Sequence, residues 1–304
     1  LPSGDTGQIV ASTEGPQDIS FPAMMERQRA VAAILAKDPS VHTIASFVGA
    51  SGSRPTSNVG TLILNLKSRD ERKESPDQII ARLRPKLAAV PGIRVFLQNP
   101  PSIRIGGRFT SAQYQYTLQD TDLDELYQWN DILLEHLRQL PGFIDVNTDL
   151  KNQSPVIALD IDRDKLAPLG LSIGQVEDAL QSAFSSRQIS TIYAATSQHQ
   201  VILEVAPELQ ADPAILSKIH VRSSNGKLVP IDTVAHISRG TQALTVNHQG
   251  QLPSVTLSFN LLPGVSLGDA VDRIRKMERE INLPASLTTS LQGTAQAFEA
   301  SLQG

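Results

Sequence analysis

The chain has 304 residues, 40% of them hydrophobic, which is enough apolar matter to bury cores in two or three domains. Its 27 basic and 31 acidic residues are interspersed with no basic block, and aromatics make up only 4%, which argues against a nucleic-acid partner. It has no cysteine, so disulfides, thiolate metal sites and thiol nucleophiles are excluded.

No stretch approaches the roughly 20 apolar residues of a membrane span. The start, Leu1-Pro2-Ser3-Gly4-Asp5, lacks the basic and apolar parts of a signal peptide. The expectation is a soluble chain without a signal, or a piece of a longer one.

Gln8 to Thr13 alternates as a strand, and behind Ser20, an N-cap residue, Phe21, Met24, Gln28, Val31, Ala32 and Leu35 recur at helical spacing. Val41 to Phe47 and Thr61 to Leu66 read as strands. Ser75-Pro76-Asp77-Gln78 opens a second helix with a capping box, and Pro85 is expected to kink or weaken it. With strand Ile93 to Leu97 the order is β-α-β-β-α-β, a ferredoxin-like domain.

A second unit begins with strand Gln113 to Leu118, helix Asp122 to Leu140 and strand Phe143 to Thr148, and is then interrupted. Strand Ser254 to Leu261, helix Ser266 to Ile281 and strand Ser286 to Gly293 complete it. The breaks Val90-Pro91-Gly92-Ile93 and Leu140-Pro141-Gly142-Phe143 are near copies, which marks an internal repeat. Residues 150 to 245 read as an insert, with strand Val156 to Ile161, a helix behind Ser172, a hairpin pairing Gln188 to Tyr193 with Gln200 to Val205, and a turn at Ser223-Ser224-Asn225-Gly226. The fold class is α+β: two ferredoxin-like units, the second interrupted by a mixed α/β insert.

Motifs for covalent chemistry are missing. The six histidines fall in separate elements, none at the spacing of a helical zinc motif. Gly-x-Ser-x-Gly is absent, and Gly49-Ala50-Ser51-Gly52 precedes a strand rather than a helix. Gly106-Gly107 reads as a hinge rather than an anion cradle, and Asp160, Asp162 and Asp164 read as a helix start rather than a metal site. The loop Val48 to Asn58 is rich in small residues and reads as a solvated hairpin loop or as a gate.

Several stretches carry a family resemblance: Gly4-Asp5-Thr6-Gly7-Gln8, Ile103-Arg104-Ile105-Gly106-Gly107-Arg108, Tyr114-Gln115-Tyr116-Thr117-Leu118, Arg187 to Tyr193, Val246-Asn247-His248-Gln249-Gly250 and Gly293-Thr294-Ala295-Gln296-Ala297-Phe298. With the split tandem repeat, they make the chain resemble the second large periplasmic loop of a resistance-nodulation-division (RND) efflux pump of the Mdt/Mux-like branch.

The resemblance implies that residues 1–107 form one porter subdomain and 108–150 with 245–293 a second. It implies a docking subdomain at 151–244, and that 294–304 lead into a membrane helix. It implies the periplasmic portion of a bacterial inner-membrane proton/drug antiporter, not an enzyme, without cofactor or metal. Its partners would be amphiphilic drugs, sister protomers in a homo- or heterotrimer, a periplasmic adaptor and an outer-membrane channel.

The drug cleft between the porter subdomains would be lined by Ser12, Phe47, Phe96, Gln98, Pro100 and Asn147. A switch loop would comprise Gly49, Ala50, Ser51, Gly52, Ser53 and Arg54, here without an aromatic tip, and Gln98 stands where the family usually has an aromatic. The alternatives are a supporting or docking subunit without its own drug site, and a periplasmic enzyme, which would need polar groups of shifted pKa converging in the cleft.

Overall fold

The computed structural model describes residues 4–49, 56–100, 110–185, 187–206, 209, 212–243, 245–293 and 295–297. The first repeat runs β1 (Gln8–Glu14), α1 (Phe21–Ala36), β2 (Val41–Val48), β3 (Val59–Leu66), α2 (Pro76–Ala88) and β4 (Arg94–Gln98). Its sheet is antiparallel, in the order β2-β3-β1-β4.

The helices begin where the sequence supplies caps. The Ser20 side chain accepts from the Ala23 amide, and Ser75 with Gln78 closes a reciprocal capping box. Pro85 does not end α2, which continues through it to Ala88. Pro85 lies in the last turn, where its missing N–H removes a single helical bond. Ile9, Ala11, Leu62, Leu64 and Leu97 line one face of the sheet and bury Met24, Val31 and Leu35 of α1 and Ile79, Leu83 and Leu87 of α2. Each such aliphatic side chain contributes about 1.5–3 kcal/mol of burial.

The second repeat starts with β5 (Tyr114–Gln119), α3 (Leu123–Gln139) and β6 (Phe143–Thr148). The insert follows, with β7 (Ser154–Ile161), α4 (Arg163–Leu166), α5 (Ile173–Phe184), β8 (Arg187–Tyr193), β9 (Gln198–Leu203), β10 (His220–Arg222), β11 (Leu228–Pro230) and β12 (Ala235–Gln242). The second repeat then closes with β13 (His248–Gln249), β14 (Leu252–Leu261), α6 (Leu267–Glu280) and β15 (Thr288–Gln292). In its sheet β6 pairs with β14, β14 with β5 and β5 with β15, while β13 adds to the start of β14. The order β6-β14-β5-β15 reproduces that of the first sheet.

Both copied Pro-Gly breaks use the glycine in the left-handed region, Gly92 at φ 70° and Gly142 at φ 85°. Each is tied by an arginine from the other helix of its own repeat. Arg27 donates to the Gly92 carbonyl at 2.8 Å, and Arg273 donates to the Pro141 carbonyl.

By packing, the chain divides into two compact units, residues 1–154 with 242–304, and residues 155–241. The second has its own core of Leu166, Leu171, Val176, Val221, Val229, Ile231 and Val234. There Asp162 caps α4, accepting from the Asp164 and Lys165 amides, and Ser172 with Gln175 boxes the start of α5. The hairpin turn is tighter than expected, because the Ala194 amide bonds the Ser197 carbonyl and β9 starts at Gln198. Among the described residues, no helix is long and apolar enough to cross a membrane.

Candidate functional site

The face of the first sheet away from its helices is fixed by strand register. Phe47 lies opposite Thr61, Thr61 opposite Ser12, and Ser12 opposite Phe96, so one row crosses all four strands. Directly opposed residues project to the same side of a sheet, and residues two apart share a face. The next row on that face is Ala45, Ile63, Val10 and Gln98; on the other side stand Val59, Glu14 and Arg94.

Along the row, exposure changes sharply. Phe47 is 60% exposed, whereas Phe96 is 6% exposed and carries the Arg94 guanidinium 5.6 Å from its ring centroid. That distance and stacking make a cation–π contact. The Gln98 amide donates to the Thr110 carbonyl at 2.9 Å, so it reaches the segment leading into the second repeat. Pro100 follows the end of β4 and is half-buried.

Where the two repeats meet, a buried polar group joins them. Glu14 closes β1, and its carboxylate receives Arg94 at 3.0 Å, Lys151 at 2.7 Å and the Asn147 amide at 2.7 Å. Arg94 also donates to the Asn147 carbonyl oxygen at 3.3 Å, and Asn147 donates to the Ser111 hydroxyl at 3.2 Å. Burial pushes the Glu14 carboxyl up, but the charges of Lys151 and Arg94 and the bonds from Lys151 and Asn147 outweigh it, so its pKa lies below the ordinary glutamate value. Glu14 is therefore ionised near neutral pH, and its partners are two cations and an amide. The group ties the two repeats together; it is not set up to exchange protons at that pH.

A second tie lies at the β-bulge of β6. The register of β6 against β14 shifts between Ser258 and Asn260, and Asp145 adopts φ 55° there. The bulge re-aims the side chain, so that Asp145 accepts from Asn260 at 2.9 Å and from Arg84 of α2 in the first repeat.

The open face of the second sheet is mostly polar. Gln115, Thr117, Thr256, Ser258 and Asn147 alternate with core residues and are buried, with Thr117 and Thr256 hydroxyls 3.3 Å apart and Ser258 3.2 Å from Ser111.

Of the residues singled out from the sequence, Ser12, Phe47 and Phe96 share one row, and Gln98 lies in the next. Asn147 joins that face through Glu14 and Arg94. Gly49 ends β2 at φ 93°, with a Cβ built there falling 2.8 Å from the Phe21 ring. Ala50, Ser51, Gly52, Ser53 and Arg54 lie outside the described residues, as do Gly106 and Gly107. Sequence reading missed Glu14, Arg94, Lys151 and the pair Arg84 and Asp145. Its only available signal was a charge at the end of an otherwise uncharged strand, Glu14 after Gln8 to Thr13. Among the described residues, no group of three His, Cys, Asp or Glu side chains is placed to hold a metal ion.

Comparison with known proteins places this geometry in a family. The model of the AcrB/AcrD/AcrF family matches residues 1–304. Among solved structures, a heavy metal efflux pump is similar in two crystal forms. One is 21% identical with a TM-score of 0.84, covering 100% of this chain and 32% of that one. The other is 19% identical with a TM-score of 0.85, covering 100% and 33%. The chain thus spans about a third of the length of those pump structures, which share its fold.

Proposed function

We propose, from the premise that this chain belongs to the AcrB/AcrD/AcrF family of RND efflux pumps, that it is the periplasmic porter and docking portion of a proton-driven exporter of amphiphilic small molecules. Substrate binds between the two ferredoxin-like repeats, and their relative movement gates it. The observation that carries this reading is the row Phe47, Thr61, Ser12 and Phe96, which runs from an exposed aromatic to a buried one beside the polar tie between the repeats. Apolar burial and aromatic contact supply affinity for such ligands, and a few polar groups orient them.

Residue chemistry favours an organic cargo over a soft metal. Thiolates and thioethers bind soft metals, yet the chain has no cysteine and its three methionines, Met24, Met25 and Met277, all sit on helices α1 and α6. The porter limits are 1–107 and 108–150 with 245–293, the docking segment is 151–244, and 294–304 lead onward to the membrane. In the docking segment the β8–β9 hairpin leaves Ile189, Ile192, Tyr193, Ile202 and Leu203 exposed. A two-stranded hairpin is marginal in water by itself, which supports assembly with sister protomers, an adaptor and an outer-membrane channel.

The test is drug export by cells carrying the full-length pump with Phe96→Ala or Gln98→Ala, with assembly checked for each variant. Selective loss of some compounds with assembly intact is the expected result. An unchanged profile at both positions assigns the chain instead to a supporting or docking subunit.

A further inference from the structure

At the proposed binding face one carboxylate is shared between two cations. Glu14 faces two cations, Arg94 and Lys151, and one carboxylate neutralises only one of them. The neighbouring Asp149 is engaged by the Thr256 amide at 2.7 Å and by Asn247 at 3.0 Å, and Asp145 is paired with Arg84. The two cations also differ in access. The Lys151 side chain is 13% exposed and also donates to the Thr148 carbonyl, whereas the Arg94 side chain is 50% exposed.

Arg94 is held from two sides. Its Nη2 donates to Glu14 and to Asn147, and its guanidinium lies over the Phe96 ring. Among the described residues, its Nε and Nη1 take no acceptor. A guanidinium fixed in this way keeps donors for a ligand oxyanion at little further entropic cost. Along the same row Phe47, 60% exposed, offers apolar surface to a hydrocarbon body, with the polar Thr61 and Ser12 between it and the buried Phe96.

We propose that Arg94 makes this face selective for amphiphiles bearing a negative group, a carboxylate or sulfate, over cationic ones of the same body. The inference rests on the reading that amphiphiles bind this face. Arg94 takes the oxyanion, Phe47 takes the tail, Phe96 backs the guanidinium, and Glu14 with Asn147 hold Arg94 in place, the attraction of Glu14 for a cationic head being outweighed by the repulsion from Arg94 and Lys151 together.

The experiment is calorimetric titration of the whole chain with decanoate, decyl maltoside and decyltrimethylammonium, each below its micelle concentration. Decanoate binds more tightly than the cation, and Arg94→Gln weakens decanoate about tenfold while leaving the maltoside unchanged. Equal affinity for anion and cation, or a decanoate affinity unmoved by Arg94→Gln, overturns the proposal. The double variant Glu14→Gln with Arg94→Gln separates direct contact from unmasked repulsion: decanoate affinity stays low if Arg94 binds the anion, and its recovery overturns the proposal. Phe47→Ala tests the underlying reading separately, because it weakens all three probes, the neutral one included. If the neutral probe ignores Phe47→Ala, or none of the three binds, the binding-face reading falls and the inference with it.

Discussion

In the first repeat the chain passes from β2 to β3 between Val48 and Val59; in the second, the equivalent passage from β6 to β14 contains the whole compact unit from Pro155 to Thr241. The sheets nonetheless keep one strand order, β2-β3-β1-β4 matching β6-β14-β5-β15. The helices match in finer detail. Counted from their first residues, α1 buries Met24, Gln28, Val31 and Leu35, and α3 buries Leu126, Asn130, Leu133 and Leu137, at the same four positions. A connection between adjacent strands can thus be lengthened greatly without disturbing the helix–sheet core, because closing a longer loop costs entropy only logarithmically.

The strongest way to break this equivalence is to cut the same hole in each core. Leu35 and Leu137 are both fully buried, and each change to alanine costs about 3 kcal/mol, the transfer loss plus the cavity left behind. The single tryptophan, Trp129, lies on α3 and reports on the second repeat, while far-UV circular dichroism reports on both. If the repeats unfold as one body, urea titrations followed by Trp129 shift equally for Leu35→Ala and Leu137→Ala. A Trp129 transition that ignores Leu35→Ala shows two independent folding units.

A smaller effect sharpens the comparison at the one buried polar position the two helices share. Gln28 accepts from the Thr13 hydroxyl and donates to Ser46 at 3.2 Å and the Phe47 carbonyl at 3.3 Å. Asn130 accepts from Thr148 at 2.6 Å. In both repeats a helix amide thus bonds a strand of its own sheet. Gln28→Ala strands the buried Thr13 hydroxyl and costs about 2 kcal/mol, while Asn130→Ala removes one partner of the half-buried Thr148 hydroxyl and costs about 1 kcal/mol, both measured by the same urea titration. Gln28→Ala is also expected to relieve part of the crowding at Gly60, where a Cβ would fall 2.6 Å from the Thr13 hydroxyl and 2.7 Å from the Gln28 side-chain oxygen. Gly60→Ala is then better tolerated in that background than in the native one, and equal costs in both would show that the strand, not the helix, sets the glycine.

The repeat was legible because its signals are local: Ser20, Ser75 and Ser266 each precede a periodic helix, and each accepts a backbone amide in the structure. The alternation of Phe96 and Gln98 likewise put both on one face before any register was known. What sequence did not reveal is pairing over distance. That Phe47 and Phe96 share a row depends on three strand registers, and a one-residue slip in any of them would send one ring to the helices. Glu14 and Lys151 meet only because the second repeat folds against the first, and nothing in the residues around Lys151 marks it as the partner of a buried carboxylate.

The smallest expected effect is a change of slope with pH, and it separates a tie within one repeat from a tie between the two. Asp5 belongs to the first repeat alone: the hydrogen bond from Arg72, against the cost of burial and with help from Arg69 and the Gly7 amide, lowers its pKa from 3.8 to about 2. Glu14 joins the repeats and is also held below its ordinary value of 4.5. A folded-state pKa below the unfolded one means stability that is fully present above the unfolded pKa and lost as pH falls through the folded one. Asp5 therefore gives up its contribution between about pH 3.8 and 2, and Glu14 begins to give up its own as pH falls below 4.5. Asp5→Asn flattens the acid limb of the stability curve only in that lower window, and does so alike for every probe of the first repeat. Glu14→Gln flattens it from the higher edge downward and changes how strongly the Trp129 transition follows the rest of the unit. If both substitutions flatten the same window and leave that coupling alone, the Glu14 group is one more internal bond of the first repeat, and the junction is held elsewhere, by Arg84 on Asp145.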